Sequence, residues 1–290
     1  MKSSESVANH TKQISILGCG WLGFPLAKSL LQKGFLVKGS TTTFEKMSVL
    51  ENVGITAFQI ALSEEEIKGD IDSFLFNSQI LIIDIPPKLR GNSNDTSTAL
   101  SMTFVAKIQN LIPFIEKSSV EKVLFVSSTS VYSDNISIDL ITEDTIPNPD
   151  TESGKQLLEA EKLLQNNSNF TTTVIRFGGL IGEDRHPIKF LVSRSLGREN
   201  LENPDGPINL IHQLDCIGIL EGILEKNCFG EIFNAVAPFH PSRKVYYSKK
   251  AQELNLPLPK FDESKPSVGK IISSEKVEQI LVYTFQKPQL

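Results

Sequence analysis

Gly18-Cys19-Gly20-Trp21-Leu22-Gly23 is the stretch that decides the fold of this chain, because its glycines follow the spacing GxGxxG. The preceding residues 14–17 form a short apolar run that is typical of a buried strand. The following residues 22–33 carry apolar side chains at helical spacing, and Gly34 then marks the end of the helix. The glycine spacing alone is a weak signal, but between a strand and a helix it predicts a phosphate-binding loop.

Each residue of this loop has a distinct expected role in holding a dinucleotide. We expect Gly18 to permit the tight turn, Gly20 to let the pyrophosphate approach the backbone, and Gly23 to allow close packing of helix and strand. Trp21 and Leu22 open the helix, whose N-terminal amides and partial positive charge favour phosphate. The alternative is a glycine turn that holds no ligand.

Strand-like and helix-like segments alternate along the chain as far as residue 182. After the loop, the sequence predicts strands at 35–39, 55–60, 79–85, 122–126 and 172–177, and helices at 44–52, 98–117 and 152–165. We expect Pro113 to kink the helix at 98–117 or to end it early. The alternation predicts an α/β fold of the Rossmann type, a doubly wound parallel sheet with helices on both faces.

The alternation breaks down after Gly182, where segments are short and prolines are interspersed. We therefore expect a flexible N-terminal tail at 1–12 and an NAD(P)-binding Rossmann domain at 13–182. A smaller C-terminal substrate lobe is expected at 183–290, with one late strand returning to the sheet.

Composition limits the possible partners and compartments. The formal net charge is −5, from 29 basic and 34 acidic side chains, so nothing indicates binding to nucleic acid or to an anionic membrane. The 3 cysteines and 4 histidines show no metal-ligand or disulfide spacing, and no metal site is expected. The polar N-terminus has no apolar signal segment, and we expect a cytoplasmic protein.

The end of the second strand bears on cofactor choice. An NAD-specific site usually has an acid about 20 residues after the loop, whereas residues 38–43 contain none. Ser40, Thr41 and Thr42 are therefore assigned to the cofactor, and NADP is slightly favoured over NAD; a Ser/Thr-rich turn with a helix cap is the alternative. Pro86 and Ser127, at the ends of two later strands, are also assigned to the cofactor.

The loop and the fifth strand, which runs into Val126-Ser127-Ser128-Thr129-Ser130-Val131-Tyr132, together resemble the extended short-chain dehydrogenases of the nucleotide-sugar epimerase/dehydratase family. The resemblance covers about residues 13–285. It includes the segments Thr142-Glu143 through Pro147, Ser153-Gly154-Lys155 with Glu161, Arg176-Phe177-Gly178-Gly179-Leu180-Ile181-Gly182, Asn209-Leu210-Ile211-His212 with Asp215, and Ile232-Phe233-Asn234-Ala235.

The chain departs from this family at the residues that carry its chemistry. In the family, a Tyr and a Lys four residues later lie on one helix face, and the phenolate takes a proton from a substrate hydroxyl. The alignment places Ser153 and Leu157 at these positions, and a shifted alignment places Thr151 and Lys155 there. The Tyr/Lys pair is absent in both, which is typical of the atypical members of the family.

The resemblance implies roles for four other side chains. Ser128 aligns with the hydroxyl that binds substrate, although Ser127 and Ser128 can equally cap the strand end against the cofactor. Ser128 and Ser153 are the candidate catalytic positions, and Arg176 and His212 are candidate substrate-binding residues. His212 is also expected to form a structural hydrogen bond with Asp215.

Two functions remain open from the sequence. The first is an NAD(P)-binding, epimerase/dehydratase-like oxidoreductase of the atypical short-chain class, acting on a small molecule such as a nucleotide sugar. The second is a non-catalytic dinucleotide-binding protein, a sensor or assembly partner. A homodimer through the helices at 98–117 and 152–165 is possible if Phe104, Ile108 and Ile115 face outward rather than toward the sheet.

Overall fold

The computed structural model describes residues 12–87, 103–196 and 200–289, with the side chains of 193–196 left out. Residues 1–11 of the tail expected at 1–12 lie outside these ranges. Residues 98–102 of the helix expected at 98–117 also lie outside them. Where the structure describes the chain, strands and helices follow the alternation that the sequence predicts.

Seven strands form the central parallel sheet, which confirms the Rossmann-type fold class. The described strands are β1 (Gln13–Leu17), β2 (Leu36–Thr41), β3 (Thr56–Gln59), β4 (Ala61–Leu62), β5 (Ile67–Lys68), β6 (Ile80–Ile83), β7 (Lys122–Ser128), β8 (Leu140–Ile141), β9 (Thr171–Phe177), β10 (Gly179–Ile181), β11 (Leu210–His212), β12 (Ile232–Ala235) and β13 (Ile271–Ile272). The sheet order is β12-β9-β7-β6-β1-β2-β3. The shorter strands pair as β10-β11, β13-β8 and the hairpin β4-β5.

Helices connect these strands along the described chain. They are α1 (Gly23–Gln32), α2 (Met47–Glu51), α3 (Ile71–Leu75), α4 (Thr103–Lys117), α5 (Glu152–Gln165), α6 (Ile188–Leu196), α7 (Gln213–Lys226), α8 (Arg243–Glu253) and α9 (Glu275–Ile280). Pro113 does not end α4 early, because the helix continues to Lys117, and the kink that the sequence allows as the alternative stays a prediction. Pro113 is exposed, while Ile108, Leu111 and Ile115 on the buried face are 0% exposed, so apolar burial stabilises the helix through the proline.

The chain divides into two compact units that are interleaved along the sequence. The N-terminal unit comprises the described parts of Met1–Ile85, Ala106–Leu124 and Ser168–Thr171. The C-terminal unit comprises those of Pro86–Val105, Phe125–Asn167 and Thr172–Leu290. The single boundary after Gly182 stays a prediction.

Strand pairing in the N-terminal unit places the glycine loop. Ile14 of β1 is in register with Val37 of β2 on one side and with Ile80 of β6 on the other. All four residues of β6 are buried, as are four of the five in β1, which is expected for strands covered on both faces. The loop thus leaves the middle of a rigid parallel ladder.

In the C-terminal unit, β12 pairs in parallel with β9, with Asn234 opposite Arg176. A second buried cluster involves α6 and α8 and includes Ile188, Leu191, Tyr246 and Tyr247. This cluster packs α6 and α8 together with the segment at 201–210.

Candidate functional site

The glycine loop is fixed by hydrogen bonds to the end of β2. Gly18 N–H donates to Ser40 Oγ at 2.9 Å, and Cys19 N–H donates to the Ser40 carbonyl at 2.8 Å. Ser40 is buried, and its hydroxyl oxygen therefore anchors the loop from 22 residues away. This is a different contact from the cofactor contact that the sequence predicts for Ser40.

The three glycines of the loop meet different surroundings. Gly18 has φ +108°, and a Cβ there would overlap the Asp84 carbonyl. A Cβ at Gly23 would overlap the Gly18 carbonyl, so Gly23 allows the close approach of α1 to the loop. Gly20 is exposed, and a Cβ there would meet nothing within 4 Å. Gly18 and Gly23 are needed for the fold of the loop, whereas Gly20 leaves open space above it.

The other predicted cofactor residues of the N-terminal unit differ in their exposure to solvent. Leu22 is buried and is the N-cap residue of α1, whose first turn carries no acidic side chain. Trp21 is half-buried. Thr41 is buried and its Oγ1 accepts the Thr43 N–H at 3.2 Å, whereas Thr42 is exposed.

Asp84 and Cys19 set the electrostatics beneath the loop. A Cβ built on Gly23 would lie 3.1 Å from Asp84 Oδ2, so a carboxylate stands next to the first turn of α1. Burial and, secondarily, the charge of Asp84 raise the pKa of the Cys19 thiol to about 12. The helix N-terminus therefore does not activate Cys19, and the thiol stays protonated at neutral pH. Sequence reasoning did not identify Asp84.

A buried polar network occupies the ends of β7, β9 and β12 in the C-terminal unit. Arg176 Nη2 donates to Glu161 Oε2 at 2.6 Å, and both side chains are at most 3% exposed. Arg176 Nη1 donates to the Tyr132 hydroxyl at 2.5 Å, and Ser127 Oγ donates to Glu161 Oε1 at 2.5 Å. Arg176 and Ser127 are thus engaged in the network, which favours a structural role over ligand binding for both.

Asn234 completes the network and leaves one donor unused. The Tyr132 hydroxyl lies 3.2 Å from Asn234 Oδ1, and burial raises the pKa of Tyr132. Asn234 Nδ2 is buried and has no partner among the described residues. Arg176, Glu161 and Asn234 each belong to a different sequence segment that resembles the family. The sequence does not predict that their side chains lie in one network.

The candidate catalytic serines lie in the same unit. Ser128 is half-buried at the end of β7, and its Oγ accepts the Ser130 N–H at 3.2 Å, so its own hydrogen remains available to a substrate oxygen. Ser153 is half-buried in the first turn of α5, behind the Thr151 cap. Leu157 is 4% exposed and Lys155 is exposed. The absence of the family's Tyr/Lys pair stays a prediction.

His212 and Asp215 have separate partners. His212 caps α7, with its Nδ1 accepting the Leu214 N–H at 3.2 Å, and burial lowers the pKa of its imidazole. Asp215 is fully buried and accepts hydrogen bonds from the Tyr283 hydroxyl at 2.9 Å and the Gln286 N–H at 2.6 Å. Asp215 thus anchors residues near the end of the described chain.

Three further sequence expectations concern Pro86, metals and assembly. Pro86, assigned to the cofactor, is exposed just beyond β6. Within the described ranges, no group of three His, Cys, Asp or Glu side chains is placed to hold a metal. Phe104, Ile108 and Ile115 are at most 1% exposed within the single chain, so they do not supply the outward apolar face that the dimer hypothesis needs.

Comparisons with known proteins place the chain among relatives of the same length. No protein-family model matches it. It is 33% identical over 282 residues to "Protein YeeZ" of Escherichia coli (strain K12), covering 96% of this chain and 97% of the relative. In the described parts of the chain, no helix is long and apolar enough to cross a membrane.

Solved structures share the fold at lower identity. UDP-glucuronic acid 4-epimerase from Bacillus cereus, in complex with NAD, superposes with a TM-score of 0.76 and 18% identity, over 94% of this chain and 92% of that chain. MoeE5 in complex with UDP-glucose and NAD gives a TM-score of 0.74 and 18% identity, over 94% and 93%. The fold of the nucleotide-sugar epimerase/dehydratase family, expected from the sequence, is thereby confirmed.

Proposed function

The chain belongs to the family of the Escherichia coli YeeZ protein, and we propose that it binds a nicotinamide dinucleotide at its glycine loop as an epimerase/dehydratase-like oxidoreductase of the atypical short-chain class. The observation that carries the proposal is the open space at Gly20, beside the N-terminus of α1 and with no other atom within 4 Å of a built Cβ. The NAD bound in these two solved structures supports the same cofactor class.

The cofactor preference we propose is NADP at least as tight as NAD. The β2 end carries no carboxylate that would repel a 2′-phosphate, and the exposed Thr42 hydroxyl and Lys46 ammonium lie just beyond it. Titration calorimetry with both nucleotides tests the preference. NAD binding more than roughly tenfold tighter, about 1.4 kcal/mol, would overturn it.

The reaction we propose is slow or is limited to a narrow range of substrates, because the alignment gives no counterpart to the proton-accepting Tyr of the related dehydrogenases. The hydroxyl of Ser128 is the group in the C-terminal unit that we assign to a substrate oxygen, and Ser153 marks the position of the missing phenol. Bound nicotinamide would supply the hydride chemistry, and the Ser128 hydroxyl would donate a hydrogen bond that orients a substrate oxygen.

Absorbance of the reduced nicotinamide tests turnover against nucleotide sugars and small alcohols. We expect weak activity with some hydroxylated substrate, and lower activity in Ser128→Ala with unchanged nucleotide affinity. Ser130→Ala is a matched control, since the neighbouring side chain is half-buried on the same turn. Equal rates in Ser128→Ala and wild type would overturn the assignment of Ser128.

A non-catalytic dinucleotide sensor is the second candidate, and a specific observation favours it. The buried Leu157 and the exposed Lys155 leave the first turns of α5 without a lysine positioned to assist proton transfer. Tight nucleotide binding without turnover on any substrate of the panel would support this second function.

A further inference from the structure

A cavity in the C-terminal unit combines one guanidinium, two carboxylates and two amides over an apolar floor. Its volume is about 550 Å³, within the usual range for small-molecule sites. The lining residues are Leu191, Asn200, Leu201, Glu202, Asn203, Arg243 and Asp262. None of the sequence motifs predicts this grouping, which joins α6, the segment at 200–203, the start of α8 and the segment around residue 262.

Arg243 brings a guanidinium group to the lining of the cavity. It is the first residue of α8, and its Nε is shielded from solvent without a hydrogen-bond partner among the described residues. The Nε is out of reach of a molecule in the cavity, so an anion there would meet the part of the guanidinium that lines it. The guanidinium carbon lies 5.9 Å from the ring centroid of Tyr247, which limits where the charge can move.

The neighbouring charges restrict the kind of anion. Lys244 does not add a second free cation, because its ammonium is paired with Glu263. Hydrogen bonds from the Ser264 hydroxyl and N–H lower the pKa of Asp262, which therefore stays ionised at neutral pH. The cavity holds two carboxylates, Glu202 and Asp262, and one guanidinium. These carboxylates repel a diphosphate ligand more strongly than a ligand with a single carboxylate, because the diphosphate carries more negative charge.

The remaining lining groups suit hydroxyls. Carboxylates accept hydrogen bonds from hydroxyl groups, and amides such as Asn200 and Asn203 can both donate and accept. Asn203 Oδ1 already accepts the Val268 N–H at 3.1 Å, which leaves its NH2 group as a donor. Leu191 and Leu201, at most 9% exposed, supply the apolar surface against which a sugar ring can pack.

We propose that this cavity binds a sugar acid that carries no nucleotide, with its carboxylate on Arg243 and its hydroxyls on Asp262, Glu202 and the two asparagines. The inference goes beyond the proposed function and does not depend on it, because every lining residue belongs to the C-terminal unit and no cofactor contact is involved.

Titration calorimetry of the full chain without nucleotide tests the proposal, with glucuronate, glucose, glucose 6-phosphate and UDP-glucose as probes. We expect saturable binding of glucuronate, weaker binding of glucose and of glucose 6-phosphate, and the weakest binding of UDP-glucose. Glu202 is exposed, so Glu202→Gln should fold normally and should improve glucose 6-phosphate binding more than glucuronate binding.

Arg243→Gln should weaken glucuronate binding by roughly tenfold or more. Lys244→Gln is the matched control, because the adjacent ammonium is paired outside the cavity lining, and it should leave the affinity unchanged. Thermal unfolding of each variant shows that the fold is retained. Absence of saturable glucuronate binding, equal affinity in Arg243→Gln, or tighter binding of UDP-glucose would each overturn the proposal.

Discussion

Substitution of three glycines one at a time should separate the stability of the N-terminal unit from nucleotide binding. Gly18 has a positive φ and an obstructed Cβ position, Gly34 has a positive φ and open space, and Gly20 has neither restriction. Alanine therefore imposes backbone strain and steric overlap at Gly18, backbone strain alone at Gly34, and neither at Gly20.

The expected magnitudes follow from these environments. Gly18→Ala should lower the free energy of unfolding by about 2–5 kcal/mol, since a left-handed residue costs about 1–2 kcal/mol and overpacking about 1–3 kcal/mol. Gly34→Ala, with φ +87° and nothing within 4 Å, should cost about 1–2 kcal/mol. Gly20→Ala should change stability by less than about 1 kcal/mol, because it also removes freedom from the unfolded chain.

Nucleotide affinity should follow a different order. Gly20→Val places its side chain in the space that we assign to the pyrophosphate and should weaken dinucleotide binding by at least roughly tenfold, while Gly34→Ala should bind as wild type does. Urea denaturation and titration calorimetry on the same preparations measure both quantities. A stable Gly18→Ala variant, or a Gly20→Val variant with wild-type affinity, would refute this interpretation of the loop.

Three other predictions concern buried ionisable groups. Burial and the charge of Lys250 lower the pKa of His186 to about 4, so between pH 6.5 and 4 the imidazole binds a proton in the unfolded chain but not in the folded one. The free energy of unfolding should therefore drop as pH falls through this window, by about 1–2 kcal/mol after discounting for partial exposure. His186→Gln should flatten the pH dependence of the urea midpoint. Glu161→Gln should cost about 3–5 kcal/mol by leaving Arg176 buried and unpaired, whereas Glu159→Gln, which breaks only an exposed pair with Lys162, should cost less than about 1 kcal/mol; equal losses would contradict the network. Cys19 should react slowly with a thiol reagent at neutral pH, and Asp84→Asn should accelerate the reaction because loss of the carboxylate lowers the thiol pKa; an unchanged rate would show that Asp84 does not act on Cys19.

Local patterns were sufficient to predict the elements. The sequence places the helix at 152–165, where α5 lies, and the strand at 122–126, which extends to Ser128 as β7. The GxGxxG spacing was informative because a strand precedes it and a helix follows it. Pro113 does not end α4, because its local cost is smaller than the contribution of a buried face on which Ile108, Leu111 and Ile115 are fully shielded.

Contacts between distant segments were not predictable from the sequence. Ser40 was assigned to the cofactor, yet its hydroxyl accepts the Gly18 N–H because β1 and β2 are neighbours in the sheet. Arg176 was assigned to substrate, yet its partners Glu161 and Tyr132 lie 15 and 44 residues away in sequence. The sequence shows which polar side chains are present at the ends of strands, whereas their hydrogen-bond partners depend on how several elements pack together.

The position of a bound dinucleotide is the most direct test of the central claim. Crystals grown with NAD and with NADP should show the pyrophosphate beside Gly20, about 3 Å from backbone amides at the N-terminus of α1. A pyrophosphate elsewhere in the electron density, or a loop left empty at saturating nucleotide, would contradict the assignment of this loop as the cofactor site.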